Sequence, residues 1–193
     1  MYHPHSRLIL ASGSPRRREL LTRAGYVFDV EPADVDERRL ADELPSDYVL
    51  RLAMLKAITV CSGPKDDRFV LAADTIVVLD NDVLGKPQGR DDAVMMLRRL
   101  SGRSHEVLTG VALVRGVARC SAMVKTEVTL VDLDDQTIAT YVATGESFDK
   151  AGAYGIQGLA SRFVDRINGS YTNVVGLPMV LVERLMRKLD ESV

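Results

Sequence analysis

The stretch Phe69–Leu79 reads FVLAADTIVVL, and nearly all of its residues are β-branched, aromatic or small and apolar. A continuous apolar run of this kind is typical of a central strand that is buried on both faces. It is interrupted only by Asp74 and Thr75. A carboxylate in the middle of a buried strand costs several kcal/mol unless charge or hydrogen bonds compensate it. The stretch therefore predicts the centre of a sheet and singles out its aspartate.

The carboxylate of Asp74 can be compensated in several ways. A divalent cation or a basic neighbour would neutralise it, and a nearby substrate would let it act as a general base. An aspartate bonded to neighbouring backbone at a strand end is the structural alternative. It is less favoured because apolar residues continue through Val78. We therefore expect a functional role for this side chain.

A second strand is predicted near the start of the chain, where the apolar residues 8–11 lead into Ser12-Gly13-Ser14-Pro15-Arg16-Arg17. Glycine permits a sharp turn, and Ser-Pro suits an N-cap followed by the first position of a helix. Free N–H groups at the start of a helix bind anions, and two arginines stand beside them. An ordinary N-cap with a solvated basic face is the alternative that the sequence leaves open.

A helix is predicted to start at Ser46, and its apolar stripe runs from Val49 to Val60. Lys56 falls on the same face. A lysine in such a place commonly reaches water along its aliphatic stem. It could instead bind a polyphosphate, since a unit charge pair at about 4 Å is worth about 4 kcal/mol at an effective dielectric of about 20. Three other cations would complete such a set: Arg16, Arg17 and Lys86.

The stretch 149–158 reads DKAGAYGIQG and is a long connection of glycines and small residues. Such a segment suits close packing around a flat ligand. The amide of Gln157 offers a donor and an acceptor together, which matches the edge of a pyrimidine. A glutamine in a turn is more often a backbone cap, so this indication is weak by itself.

Helices and strands alternate along the chain, which indicates an α/β fold, and hairpin turns at 80–82 and 168–169 imply a mixed sheet. The acidic stretch 29–47 is predicted as a loop or edge. Asp134 is predicted to cap a helix. The other predicted helices cover 15–24, 91–100 and the region from Pro178 onward, and the other strands cover 106–115, 119–131 and 161–167.

The composition describes an ordinary globular protein of 193 residues, with 46% hydrophobic and 27% charged residues. A formal net charge of -2 argues against a generic nucleic-acid binder. The cysteines, Cys61 and Cys120, are far apart and suggest neither a disulfide framework nor a zinc site, which favours a reducing cytoplasm. We expect neither a membrane span nor a secretory signal. No catalytic or metal-binding role is predicted for His3, His5 or His105.

Taken together, four separated motifs resemble the Maf family of nucleoside triphosphate pyrophosphatases over nearly the whole chain. They are 12–17, Ala73-Asp74-Thr75, Gly85-Lys86-Pro87 and 149–158. Four motifs in the right order are far more specific than any one of them. Arg17 and the Tyr-Gly-Ile-Gln-Gly segment resemble the dTTP/UTP pyrophosphatase branch of that family.

The resemblance implies hydrolysis of dTTP and UTP between the α and β phosphates, with modified pyrimidine triphosphates as further candidate substrates. The products would be a monophosphate and pyrophosphate, and the reaction would house-clean the nucleotide pool. It further implies a divalent metal, Mg²⁺ or Mn²⁺, with Asp74 as proton acceptor and both Asp74 and Glu37 as metal ligands. The implied substrate-binding residues are Ser12, Arg16, Arg17, Glu37, Lys56, Thr75, Lys86 and Gln157. Among them, Arg17, Thr75 and Gln157 would set substrate choice.

The resemblance also implies one domain over 1–193. Its fold would be an elongated mixed sheet with flanking helices, inosine triphosphatase-like, with two lobes around a central cleft. We also expect, from the cysteines, the net charge and the lack of a long apolar run, a cytoplasmic protein that binds no nucleic acid or membrane, and it could form a homodimer. A second function stays open: a non-enzymatic regulator of septum formation and cell division that binds a nucleotide or a partner.

Overall fold

The structure is a computed structural model that describes residues 7–191, so His3 and His5 lie outside the described part. Within it, a seven-stranded sheet has the order β2-β1-β3-β5-β6-β7, and β4 pairs with β3. The strands are β1 (Leu8–Leu10), β2 (Phe28–Val30), β3 (Phe69–Leu79), β4 (Asp82–Leu84), β5 (Ser104–Arg115), β6 (Ala118–Leu130) and β7 (Val164–Asn168).

The sheet is mixed, as predicted. β1 pairs in parallel with β2 and with β3, whereas β4 runs antiparallel to β3 and β7 runs antiparallel to β6. Asp80 and Asn81 both have positive φ, 52° and 68°, which is the backbone of the tight turn that returns β3 into β4. The prediction of an α/β fold built on a mixed sheet with flanking helices is therefore confirmed.

The helices are α1 (Pro15–Arg23), α2 (Pro45–Val60), α3 (Arg90–Leu100), α4 (Asp135–Ala143), α5 (Tyr171–Val175) and α6 (Met179–Asp190). Asp134 caps α4, because its side chain accepts a hydrogen bond from the Thr137 N–H at 2.7 Å. Gly25 follows α1 with a φ of 79°, the left-handed conformation that ends a helix. Both helix ends agree with the sequence.

Several predicted boundaries are wrong. α2 begins at Pro45, because a proline fits the first helical position, whereas Pro178 is the residue before α6. The strand predicted at 161–167 begins at Val164, because Leu159–Phe163 form a 3₁₀ helix. β2 and α5 were not predicted.

The chain divides into two compact units. In the described part, unit one comprises residues 7–74, 109–124 and 176–191, and unit two comprises 75–108 and 125–175. Whether 1–193 is a single domain, and whether a central cleft separates two lobes, stay predictions.

Unit one has a core on each side of its strands. Leu8 and Phe69 face the layer that contains α1 and α6, whereas Val70 and Ala72 belong to the cluster that contains Ala53 of α2. Side chains alternate along a strand, so Asp74 continues the row of Val70 and Ala72. This register places the aspartate on the side of the sheet that α2 covers.

Unit two is built around β3 and the helices α3 and α4. Val77, Leu97 and Tyr141 belong to one buried cluster, and Phe163 packs edge-on against the Tyr141 ring at 5.2 Å. No helix within residues 7–191 combines the length and the apolar character needed to cross a membrane.

Candidate active site

The turn after β1 is organised around the hydroxyl of Ser12, which is 8% exposed. Its oxygen accepts hydrogen bonds from the Arg17 guanidinium at 3.0 Å and from the Ser14 N–H at 3.3 Å. Arg17 Nε also donates to the carbonyl of Gly176 at 2.8 Å. Pro15 then opens α1, so the turn, the helix start and the arginine form one rigid group in unit one.

The guanidinium of Arg17 lies among charged groups of unit one. Burial lowers its pKa, the charge of Asp74 raises it, that of Arg16 lowers it, and that of Glu37 raises it. Both arginines are half-buried. The predicted basic pair is thus held near the predicted catalytic carboxylate and not on a fully solvated helix face.

Lys56 joins the two predicted metal ligands. Its ammonium lies 2.7 Å from Asp74 Oδ1 and 2.6 Å from Glu37 Oε1. The side chains of Lys56 and Asp74 are only 10% and 11% exposed, whereas that of Glu37 is 56% exposed. The interpretation of Lys56 as a side chain that reaches open water is therefore wrong, because its ammonium donates a hydrogen bond to a buried carboxylate on β3.

The loop that carries Glu37 is fixed by α2, which the sequence did not reveal. Tyr48 Oη donates to the Glu37 carbonyl at 2.6 Å, and Arg51 donates to the Arg38 carbonyl at 3.1 Å. Arg51 also pairs with the Glu43 carboxylate at 2.5 Å. What the sequence did offer was that Tyr48 and Arg51 fall on the same predicted helix as Lys56. Their backbone partners are visible only in the fold.

Unit two holds the other predicted residues. Thr75 follows Asp74 in β3 and is half-buried, whereas Lys86 and Gln157 are exposed. The Gly152 N–H donates to the Gly85 carbonyl at 3.1 Å, which joins the Gly85-Lys86-Pro87 motif to the segment 149–158. Two motifs that are far apart in sequence therefore meet in unit two.

The segment 149–158 also packs closely on β3. A Cβ atom at Gly152 would lie 3.1 Å from the Val77 side chain, and Gly152 has a φ of 69°. A side chain at this position would crowd Val77 and would strain the backbone, which favours glycine. Gln157 lies in the turn that the Gly158 N–H closes on the Gly155 carbonyl at 3.1 Å.

The residues can hold a divalent cation only with help from another ligand. Within residues 7–191, no group of three or more His, Cys, Asp or Glu side chains is arranged to bind a metal. Asp74 and Glu37 nevertheless bring two carboxylates to one nitrogen. Mg²⁺ is commonly bound by one or two carboxylates together with substrate phosphates, so this pair fits an ion that arrives with a nucleotide.

Comparison with known proteins agrees with the motifs. Residues 7–189 match the model of the family described as Maf-like protein. A dTTP/UTP pyrophosphatase of Anaeromyxobacter dehalogenans is 53% identical over 186 residues, which cover 94% of this chain and 93% of that protein. A dTTP/UTP pyrophosphatase of Vibrio cholerae is 50% identical over 184 residues, which cover 95% of this chain and 98% of that protein.

Among solved structures, a HAM1 protein from Coxiella burnetii aligns with a TM-score of 0.46 and 16% identity. The alignment covers 65% of this chain and 73% of that chain. At this level of similarity, the fold assignment rests on the strand order and pairing described above.

Proposed function

Because the chain belongs to the family of Maf-like proteins, we propose that it is a nucleoside triphosphate pyrophosphatase that acts on dTTP and UTP. It hydrolyses the bond between the α and β phosphates and releases a monophosphate and pyrophosphate. The proposed substrates include modified pyrimidine triphosphates, so the enzyme would remove such nucleotides from the pool. The observation that carries the proposal is the Lys56 ammonium held between the carboxylates of Asp74 and Glu37.

Asp74 is the proton acceptor in this proposal. Its carboxylate is buried in unit one, and an adjacent ammonium keeps it in place. A base must lie within hydrogen-bond reach of the attacking water, and a carboxylate fixed on a central strand has little freedom to move away. Asp74 takes the water proton while the new oxygen–phosphorus bond forms and pyrophosphate leaves.

The cations of the site hold the phosphates and neutralise the charge that develops on them. Fixed positive groups in a partly buried site cost little reorganisation during the reaction. Arg17 is anchored by Ser12 and by the Gly176 carbonyl, so its guanidinium is already oriented before a nucleotide binds. The proposed phosphate-binding cations are Arg16, Arg17, Lys56 and Lys86.

A divalent cation, Mg²⁺ or Mn²⁺, is part of the proposal, and Asp74 and Glu37 would hold it. When bound, the ion supplies positive charge to the phosphate oxygens. Lys56 already contacts both carboxylates, so its ammonium must share them or turn toward the phosphates when the nucleotide arrives. In either case, positive groups still neutralise the two carboxylates.

Base selection is assigned to Gln157, Thr75 and Arg17. The Gln157 side chain is exposed in its turn, and its amide can donate and accept at the edge of a pyrimidine. We also propose a cytoplasmic location, no nucleic-acid partner and possible homodimer formation. The free thiols of Cys61 and Cys120 and the net charge of -2 support the first two.

Product analysis tests the proposed activity. The protein is incubated with dTTP, UTP, CTP and GTP in turn, with Mg²⁺ or Mn²⁺, and the phosphate products are separated. We expect monophosphate and pyrophosphate in equal amounts, fastest from dTTP and UTP. Tight nucleotide binding without monophosphate would contradict the proposal and favour the regulatory alternative. The names of the relatives do not favour that alternative.

A further inference from the structure

The turn that presents Gln157 is held by a side chain that has no part in the proposed chemistry. Glu146 Oε1 accepts a hydrogen bond from Tyr141 Oη at 2.9 Å, and Glu146 Oε2 accepts one from the Leu159 N–H at 2.9 Å. Tyr141 is fully buried at the end of α4. One carboxylate therefore ties a rigid helix to the residue that follows the turn.

Two glycines, Gly155 and Gly158, flank Gln157, and each lies against a neighbouring side chain. A Cβ atom at Gly158 would overlap the Glu146 carboxylate, and one at Gly155 would overlap the Lys150 stem. Gly158 has a φ of -102°, which any residue adopts, so its backbone conformation does not require glycine. The need for glycine at 158 comes from the close approach of the carboxylate.

Lys150 completes the cluster from the other side. Its ammonium donates to the Glu146 carbonyl at 2.6 Å and to Asp149 Oδ1 at 2.5 Å. The backbone of Glu146 and the start of the segment 149–158 are thereby joined. Glu146 thus has its main chain fixed by one partner and its carboxylate fixed by two.

We propose that Glu146 is a positioning residue that holds the turn 155–158 so that the Gln157 amide meets a pyrimidine in one orientation. This inference rests on the proposed function and names the group that sets its base selectivity. The Asp74–Lys56 pair lies in unit one and makes its contact without Glu146. Loss of Glu146 should therefore weaken base discrimination more than the hydrolytic step.

The first test compares Glu146→Ala with Glu146→Gln and with Glu127→Ala, a matched change of an exposed glutamate in unit two. A hydrogen bond is worth about 1 kcal/mol, so losing one or two should lower the kcat/KM preference for dTTP over CTP about five- to thirtyfold. The loss in kcat/KM should appear mainly as a higher KM for dTTP. Glu146→Gln, which keeps an acceptor for the Leu159 N–H, and Glu127→Ala should retain the preference.

A second variant separates positioning from general destabilisation. Gly158→Ala should displace the Glu146 carboxylate without straining the backbone, and should therefore reproduce the effect of Glu146→Ala. Because both act through the same contact, the double variant should be no worse than either single one. Additive losses would overturn the proposal. If Glu146→Ala fails to fold, Tyr141→Phe removes the hydroxyl that bonds Glu146 Oε1 and the Gly155 backbone, and should shift the preference in the same direction.

Hydrogen exchange gives a readout that does not depend on activity. In Glu146→Ala, the amides of Gly158 and Leu159 should exchange faster than in the wild type, while those of β3 stay unchanged. If the wild type is active, unchanged amide exchange or an unchanged dTTP preference in Glu146→Ala would overturn the inference. Failure of the wild type to hydrolyse any nucleotide would instead refute the proposed function, and an unchanged preference in Gln157→Glu would refute the assignment of Gln157.

Discussion

At the residue scale, Lys56 is the group on which the buried charge of unit one depends. Its ammonium and the Asp74 carboxylate are 2.7 Å apart, and both side chains are about nine-tenths buried. Removing one partner of a buried pair leaves an uncompensated charge, so Lys56→Met should lower the free energy of unfolding by about 3 kcal/mol. Urea unfolding measures this, with the exposed Lys65→Met as control. Equal stability of the two variants would contradict a buried ion pair.

His105 is a second buried group with a measurable consequence. It is 2% exposed, and its Nε2 lies 2.7 Å from Tyr154 Oη. Burial lowers the pKa of His105 to about 4. An unfolded histidine, with a pKa of about 6.5, takes up a proton at higher pH than the folded one. The stability from this residue is therefore complete above about pH 6.5 and is lost as the pH falls toward about 4.

Between about pH 7 and about pH 5, the wild type should lose about 2 kcal/mol more free energy of unfolding than His105→Gln. Glutamine does not titrate, and it can still hydrogen-bond the Tyr154 hydroxyl. Urea unfolding at both pH values gives the change in the free energy of unfolding for the wild type and for His105→Gln. Parallel pH dependences would show that His105 does not remain neutral in the folded protein.

The sequence allowed the prediction of Asp74, because a carboxylate in an apolar strand is conspicuous by itself. The environment of Lys56 could not be predicted, since its carboxylate partner on β3 lies 18 positions away. Tyr48 and Gly176 were missed for a similar reason. Tyr48 touches a backbone carbonyl on a loop, and Gly176 offers only its own carbonyl to Arg17.

At the element scale, the closeness of α2 to β5 depends on Gly110. A Cβ atom there would overlap the main-chain carbonyl of Val49, and a backbone atom cannot swing aside. Gly110→Ala should therefore push α2 away and lower the free energy of unfolding by about 2 kcal/mol. Because α2 carries Lys56, activity should fall as well.

Gly89→Ala is the matched control for this change, because a Cβ atom at Gly89 would meet nothing within 4 Å. Thermal and urea unfolding of the two variants give the comparison. A Gly110→Ala protein as stable as Gly89→Ala would show that α2 and β5 can separate at no cost.

The elements that were predicted well have strong local signals. β3 spans Phe69–Leu79 as its apolar run indicated, and Asp134 caps α4 as predicted. β2 escaped detection because a three-residue edge strand acquires its identity from pairing with β1. α5 has only five residues, which is too short for a periodic pattern.

At the scale of the whole molecule, the net charge of -2 conceals a local grouping of cations and carboxylates. The alternation of helices and strands was enough to predict the α/β class and the mixed sheet. The residues that belong to each of the two units could not be predicted, because β3, β5 and β6 each contribute residues to both. Only spatial contacts distinguish the residues beside Asp74 from those around Gln157.

The most direct test of the account is the turnover of Asp74→Asn with dTTP and Mg²⁺, measured as pyrophosphate released. Asparagine keeps the shape and an acceptor for Lys56 but cannot take a proton from water. We expect kcat to fall about 10²- to 10⁴-fold with an unchanged circular dichroism spectrum, while the exposed Asp67→Asn stays active. Near-normal turnover by a folded Asp74→Asn protein would contradict the account.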